Sequence, residues 1–321
     1  MPTAAPNVFI TGITGQDGGY LAEQLLATGS VVHGLVRSSS EVEPVRAAYP
    51  GVRVHVADLT DGGAVAALLS EIEPDEIYNL AGISSVALSW RDPVATGAVS
   101  GLAAAGVLQG AWELVERTGR QVSVVQASSA EIFGNPTISP QTEETPIAPV
   151  TPYGAAKAYA QHMARIYRGR GLHASTVILY NHESPRRPPA FVTRKITQGA
   201  ALIARGEQDE LALGNLDARR DWGWAPDYVD AMIRAARHRV ADDYVIATGV
   251  ARSVREFVAA AFAAAGLDDW ERFVRVDPAF VRPVDAVELT GDPSRARSVL
   301  GWSPTVDFAD LVRRMVEVDL R

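Results

Sequence analysis

The stretch Tyr153-Gly154-Ala155-Ala156-Lys157 places a phenol and an ammonium four residues apart. On a helix that spacing puts both side chains on one face. A positive charge beside a phenol favours the phenolate and lowers its pKa, so such a tyrosine can serve as a base near neutrality. A pair on a helix surface has the same spacing, and composition weighs against that reading. Of 30 basic residues only Lys157 and Lys195 are lysine, and the other 28 are arginine. Lysine is kept where a compact ammonium on a flexible stem suits the site and a planar fork does not.

Upstream, Gln126-Ala127-Ser128-Ser129-Ala130-Glu131 reads as the end of a strand and the turn after it. Doubly wound sheets bind ligands at that end of their strands. Ser129 is a candidate to hydrogen-bond a substrate hydroxyl. Glu131 reads either as a second acid/base group or as a carboxylate that starts a helix.

Near the N-terminus, Thr11 leads into Gly12-Ile13-Thr14-Gly15-Gln16-Asp17-Gly18. Glycines at this spacing let the backbone turn tightly and approach a pyrophosphate, which then rests on a helix N-terminus. The pattern is weak alone, but it follows a strand and opens a helix. The next strand ends in Val36-Arg37-Ser38 with no acid to bind the ribose hydroxyls of NAD. Arg37 and Ser38 favour a 2′-phosphate, hence NADP over NAD. Asp58 and Leu59 are placed to touch the adenine. Leu80, Ala81 and Gly82 let a cofactor pass close to the backbone.

The elements that must hold these residues follow from periodicity. Strands are expected at Asn7–Ile10, Val31–Val36, Arg53–Ala57, Glu76–Leu80, Val122–Ala127 and Ala174–Leu179. Long helices are expected at Val94–Arg117 and Pro152–Arg170. Strands alternating with helices predict a parallel α/β sheet of the doubly wound, Rossmann kind. After residue 180 the pattern changes to helices near Phe191–Arg205, Asp227–Arg239, Val254–Ala265 and Asp307–Asp319. Short strands lie between them at Leu211–Leu213, Tyr244–Ala247 and Phe273–Val276. A smaller mixed α/β domain over 181–321 is therefore expected beside a dinucleotide-binding domain over 1–180, with some later segments returning to the first.

A net charge of −8 and the absence of any long basic run argue against nucleic-acid binding. With no cysteine, disulfides, thiolate metal sites and cysteine nucleophiles are excluded, and no metal site is expected. No apolar run approaches bilayer length and no signal peptide is legible, so no membrane role and a cytoplasmic location are expected.

Taken together these stretches resemble the extended short-chain dehydrogenase/reductase family and, within it, the GDP-mannose 4,6-dehydratases. Asn181-His182-Glu183-Ser184-Pro185-Arg186-Arg187 carries the likeness most specifically. Leu213-Gly214-Asn215-Leu216-Asp217, Arg220-Asp221-Trp222-Gly223, Arg282-Pro283 and Gly291-Asp292-Pro293 extend it over nearly the whole chain.

The resemblance implies a redox-neutral dehydration of a GDP-sugar on NADP. Tyr153, backed by Lys157, takes the C4 hydroxyl proton during C4 oxidation. Glu131 takes the C5 proton, water leaves from C6, and hydride returns to C6. It implies that Lys157, His182 and Arg187 contact the cofactor. It further implies that Ser84, Ser85, Asn181, Val192, Lys195, Arg220 and Arg282 contact the nucleotide sugar, and that two helices per subunit form a homodimer.

Three departures stand out. The loop after the second strand is short, which puts a tetramer in doubt. Ala130 and Ile83-Ser84-Ser85 differ from the usual residues of the sugar site, which leaves a longer GDP-sugar, a heptose or octose, open as substrate. The other readings are a GDP-sugar epimerase or 4-ketoreductase, and a protein that binds NADP without turnover.

Overall fold

The computed structural model describes residues 5–280 and 288–321. Six strands alternate with helices over the first part of the chain: β1 (Asn7–Thr11), β2 (Val31–Val36), β3 (Arg53–Val56), β4 (Glu76–Asn79), β5 (Ser123–Ser129) and β6 (His173–Leu179). After them come β7 (Asn181–Glu183), β8 (Leu211–Leu213), β9 (Arg219–Trp224), β10 (Asp243–Ile246), β11 (Ala251–Ser253), β12 (Val274–Val276) and β13 (Glu288–Leu289). The main sheet is parallel throughout, in the order β10-β6-β5-β4-β1-β2-β3. Strand order reverses between β1 and β4, and a crevice opens at such a switch point.

Two apolar layers sandwich this sheet. One gathers Ile10, Ile13, Leu25, Tyr78 and Met232, the other Phe9, Leu69, Ile77, Val107 and Leu114. A separate core forms around Ile196, Trp222, Phe257, Phe262 and Met315. There β9 pairs with β7 and β13 in parallel and with β11 antiparallel, while β8 and β12 form a two-stranded ribbon.

β10 does not stay with the smaller unit that precedes it in sequence. It extends the main sheet beside β6, and the helix Ala225–Arg237 packs on the glycine-loop helix Gln16–Ala27. The strands β7, β9, β11 and β13 were not expected. β9 reads Arg-Arg-Asp-Trp-Gly-Trp, and its polar side chains hide a strand that is largely buried.

The helix expected at Val94–Arg117 runs from Pro93 to Thr118 with a π turn at Ala98–Leu102. By length and mean hydropathy (1.4) it is apolar enough to cross a bilayer, contrary to the sequence reading. Half of that window is buried, against the helices Gly62–Ile72 and Pro152–Gly169, as expected of a crossover helix.

The helix Pro152–Gly169 carries Tyr153 and Lys157, and its start is locally encoded. Thr151 is the N-cap and accepts a hydrogen bond from Gly154 N at 3.0 Å, and Pro152 occupies the first turn. Thr151→Ala is expected to lower stability by about 1 kcal/mol, read as a lower urea midpoint at unchanged slope. An unaltered midpoint would show that the cap is not used.

Candidate active site

The glycine loop closes tightly on the end of β4. Gly12 has φ 76°, and a Cβ there would sit 2.9 Å from Ala81 N. A Cβ on Gly18 would lie 2.2 Å from the Gly12 carbonyl oxygen. Side chains are therefore excluded where the loop turns into the helix, and Gly15 N donates to Gly12 O at 3.0 Å. Thr11 ties the two strand ends together. Its hydroxyl donates to Asn79 Oδ1 (2.7 Å) and accepts from Leu80 N and Ala81 N (3.1 Å each). A backbone groove bare of side chains at a switch point fits the pyrophosphate of a dinucleotide.

The catalytic candidates converge on the same ends of the strands. Ser129 closes β5, and its Oγ accepts from Glu131 N at 3.3 Å. Glu131 lies in the 3-10 turn Ala130–Phe133, and its carbonyl is so close to Gly154 that a Cβ there would meet it at 2.5 Å. Gly154 thereby lets the Tyr153 helix seat against the Glu131 turn. The Ser129 side chain hydrogen-bonds the Tyr153 phenol, and Tyr153 also feels the charges of Glu131, Arg187 and Asp17.

The phenol is not acidified by its lysine. Burial pushes Tyr153 up to about 12, outweighing the Ser129 hydrogen bond and the Arg187 charge. The Lys157 ammonium lies 5.9 Å from the ring centroid and donates to Ala127 O at 3.0 Å. Burial pulls Lys157 down to about 8, against the nearby Asp17 carboxylate. Desolvation disfavours the charged form of each group and here exceeds the interactions that favour it.

The segment Asn181–Arg187 stitches the glycine-loop helix to the second unit. His182 has both ring nitrogens facing acceptors, Nδ1 to Tyr180 O at 2.8 Å and Nε2 to Asp17 Oδ2 at 2.9 Å. Only an imidazolium donates from both. Although burial opposes the charge, Asp17 holds His182 above its ordinary pKa. Asp17 in turn lies below its own ordinary value, because His182, Gln16 and Arg187 together outweigh its burial. The His182 ring stacks on Tyr228 with centroids 4.7 Å apart. Gln16 accepts from Ser184 Oγ (2.8 Å) and donates to His182 O (3.2 Å). Glu183 lies 3.2 Å from Arg187 Nε and accepts from Thr193 Oγ1 at 2.6 Å.

Other expected site residues lie further out. Arg37 and Asp58 are exposed, and Ser38 and Leu59 half-buried, at the ends of β2 and β3. Asp58 Oδ1 accepts from Thr60 N and Oγ1, which holds its carboxyl below the usual range. Thr14 and Ser84 are exposed, and Ser85 caps the helix Val86–Arg91. Asn181 heads β7 and Val192 begins the helix Val192–Ala204. Arg220 is buried in β9 with Nη1 donating to Arg219 O.

Lys195 donates to Ala212 O at 2.7 Å and lies 3.6 Å from the Phe280 ring centroid. Those contacts engage the ammonium that the sequence reading offered to the nucleotide. Arg282 lies outside the described residues.

Ser100 was missed. The π turn aims its Oγ at Ile83 N (2.9 Å), which fixes the chain after Gly82. π turns recur at functional sites, but a serine within an apolar helix gives no sequence signal for one.

The profile of the family described as GDP-mannose 4,6 dehydratase matches residues 9–315. This chain belongs to that family. It is 44% identical to GDP-mannose 4,6 dehydratase 2 of Arabidopsis thaliana, over 97% of this chain and 86% of that one. It is 42% identical to the GDP-mannose 4,6-dehydratase of Sinorhizobium fredii, over 97% and 95%. Among solved structures it is similar to the UDP-glucose 4-epimerase of Thermus thermophilus in complex with NAD, with TM-score 0.82, 27% identity and coverage of 97% and 98%.

The Asp17–His182 pair gives the family site a pH signature. Asp17, depressed from 3.8, contributes stability that is full above that value and is lost as pH falls through its folded pKa. His182, raised from 6.5, contributes stability that is full below that value and is lost as pH rises through its folded pKa. Against His182→Asn, the wild-type advantage in melting temperature is expected to be largest near pH 5–6, roughly between those ordinary values, and to narrow above it. A constant difference up to pH 9 would show that the pair does not titrate as assigned.

Proposed function

We propose that the chain converts GDP-mannose to its GDP-4-keto-6-deoxy sugar. The observation that carries this reading is the convergence of Ser129, Glu131 and Tyr153 at one end of the sheet, in a chain that belongs to this dehydratase family. Tyr153 accepts the C4 hydroxyl proton, and Ser129 hydrogen-bonds the phenol at the same point. With a carbonyl at C4, the C5 proton becomes removable, since the carbonyl takes up the charge. Glu131 removes that proton, and water leaves from C6. The buried phenol needs a cation beside it to lose its proton, because its pKa of about 12 keeps it protonated at neutrality. When bound, an oxidised nicotinamide would supply that positive charge and a reversible hydride acceptor, taking the C4 hydride and giving it back at C6, while Glu131 returns its proton to C5.

The residues present fit such a cofactor. Gly12, Thr14, Gly15, Gln16, Asp17 and Gly18 would receive the pyrophosphate, with Leu80, Ala81 and Gly82 flanking it. Lys157, His182 and Arg187 would hold the nicotinamide end, and Asp58 and Leu59 the adenine. Arg37 and Ser38 support NADP, since no acid ends β2. Ser84, Ser85, Asn181, Val192, Lys195 and Arg220 are assigned to the nucleotide sugar. For Lys195 that role requires its ammonium to leave Ala212 O or to act through the helix it anchors.

A homodimer is supported by an apolar groove of about 470 Å³ between the helices Pro93–Thr118 and Pro152–Gly169. Val94, Leu102 and Tyr159 line it, and Val94 is 81% exposed. A second copy presenting the same helices would cover these side chains.

Three outcomes are expected. Incubated with GDP-mannose and no added NADPH, the protein forms a 4-keto-6-deoxy sugar detectable by NMR. In Glu131→Gln that product falls by about 10²–10⁴-fold while single-turnover reduction of the nicotinamide persists. Normal dehydration by the variant would place the base elsewhere. In sedimentation the wild type runs as a dimer and Leu102→Glu as a monomer, and a monomeric wild type would remove the dimer.

A further inference from the structure

The loop after β2 carries a carboxylate that the cofactor assignment leaves unused. Arg37 and Ser38 lead into a single 3-10 turn, Ser39–Glu41, and the turn folds Glu41 back over the end of the strand. Glu41 Oε2 accepts from Arg37 N at 3.0 Å and from Ser38 N at 3.2 Å. The Ser38 and Ser40 hydroxyls lie 2.7 Å apart and engage each other. Two backbone donors of the loop, Arg37 N and Ser38 N, are thus occupied by an anion that the chain itself supplies. The Arg37 guanidinium is exposed and has no ion-pair partner among the described residues.

The end of β2 is where the adenosine ribose of a dinucleotide lies in this fold class. A 2′-phosphate needs N–H donors and a cation there, whereas two ribose hydroxyls need an acceptor. This loop holds both kinds of group. A carboxylate and a phosphate seek the same two amides and repel each other.

We infer that Glu41 determines specificity at the adenosine end of the cofactor. It occupies the amide pair that a 2′-phosphate would take, and it must swing out before a 2′-phosphorylated dinucleotide can bind, whereas a ribose hydroxyl can donate to it in place. Arg37 attracts the phosphate and Glu41 opposes it, so the balance between NADP and NAD rests on these two residues. The inference rests on a nicotinamide dinucleotide occupying the glycine loop, as proposed above, but not on which of the two is preferred.

The same geometry is also a Ser-x-x-Glu capping box, and a purely structural role would alter both affinities together. The test therefore reads a ratio. Dissociation constants for NADP⁺ and NAD⁺ are measured by titration calorimetry on the full chain, for wild type, Glu41→Gln and Ser40→Ala. Glutamine keeps the length and one acceptor oxygen, so the loop retains its shape while the charge is lost. Glu41→Gln is expected to shift the ratio towards NADP⁺ by about fivefold, the effect of one unit charge a few ångströms away in water. The shift should shrink at high salt, where exposed charges are screened. Ser40→Ala should leave the ratio unchanged.

An unaltered ratio in Glu41→Gln, or parallel changes in both constants, would overturn the role of Glu41. A wild type that prefers NAD⁺ overturns the NADP assignment alone, and the role of Glu41 stands if glutamine still shifts the ratio. Failure of the wild type to bind either dinucleotide overturns the cofactor reading and the role of Glu41 with it.

Discussion

The site depends on how closely the chain can pass itself between β1 and the glycine-loop helix. A methyl group at Gly18 would stand 2.2 Å from the Gly12 carbonyl, and one at Gly12 would stand 2.9 Å from Ala81 N. Because both positions are bare, the helix Gln16–Ala27 begins directly behind the end of β1, and its first turn reaches across to β7. Gln16 and Asp17 then meet Ser184 and His182, more than 160 residues later in the chain. The tight turn thus joins the dinucleotide groove to the sheet of the second unit. A looser turn would move the helix start, and the partners of Asn181–Arg187 would move with it.

Burial decides how the charges in this junction behave. Desolvation alone would neutralise Asp17 and His182, yet each is held ionised by the other and by the hydrogen bonds around them. Among the described residues Lys157 has no such carboxylate at contact distance and donates to a carbonyl, so burial pulls it down to about 8. Tyr153 is buried with two carboxylates within reach, and together these outweigh its Ser129 hydrogen bond, so its phenol resists ionisation. The protein thus presents a protonated phenol, whose balance added positive charge would tip. On the function proposed above, proton transfer would then be coupled to the arrival of an oxidised cofactor.

Much of this was legible in the residues, for physical reasons that differ from one element to the next. The parallel sheet was readable because buried strands are mostly apolar and rich in β-branched residues, as in Val31–Val36 and Ala174–Leu179. The groove was readable because only glycine tolerates its contacts. β9 was not, because its burial comes from the second unit folding over Trp222, not from a pattern within the strand. The placement of β10 was not, because its partner β6 lies more than 60 residues upstream and periodicity carries no pairing information. Thr11 and Ser100 were invisible as site residues, since each acts by bonding a backbone amide brought to it by tertiary contact.

The two lysines show what composition encoded. Each ammonium donates to a single backbone carbonyl, Lys157 to Ala127 O and Lys195 to Ala212 O, and burial lowers the pKa of both. The arginines of the chain are mostly found elsewhere, against carboxylates that can take a planar fork, as Arg168 and Arg165 do at Asp243. A guanidinium brings five N–H donors and cannot shed its proton. At Ala127 most of those donors would be buried without acceptors, next to a phenol whose own ionisation the site must control. An ammonium fits one carbonyl, loses its proton far more readily than a guanidinium, and leaves the rest of the crevice to a ligand. The ratio of 28 arginines to two lysines therefore reflects a division of labour, with forks used where paired charges build the scaffold and point charges where a cation must stand close to a single acceptor.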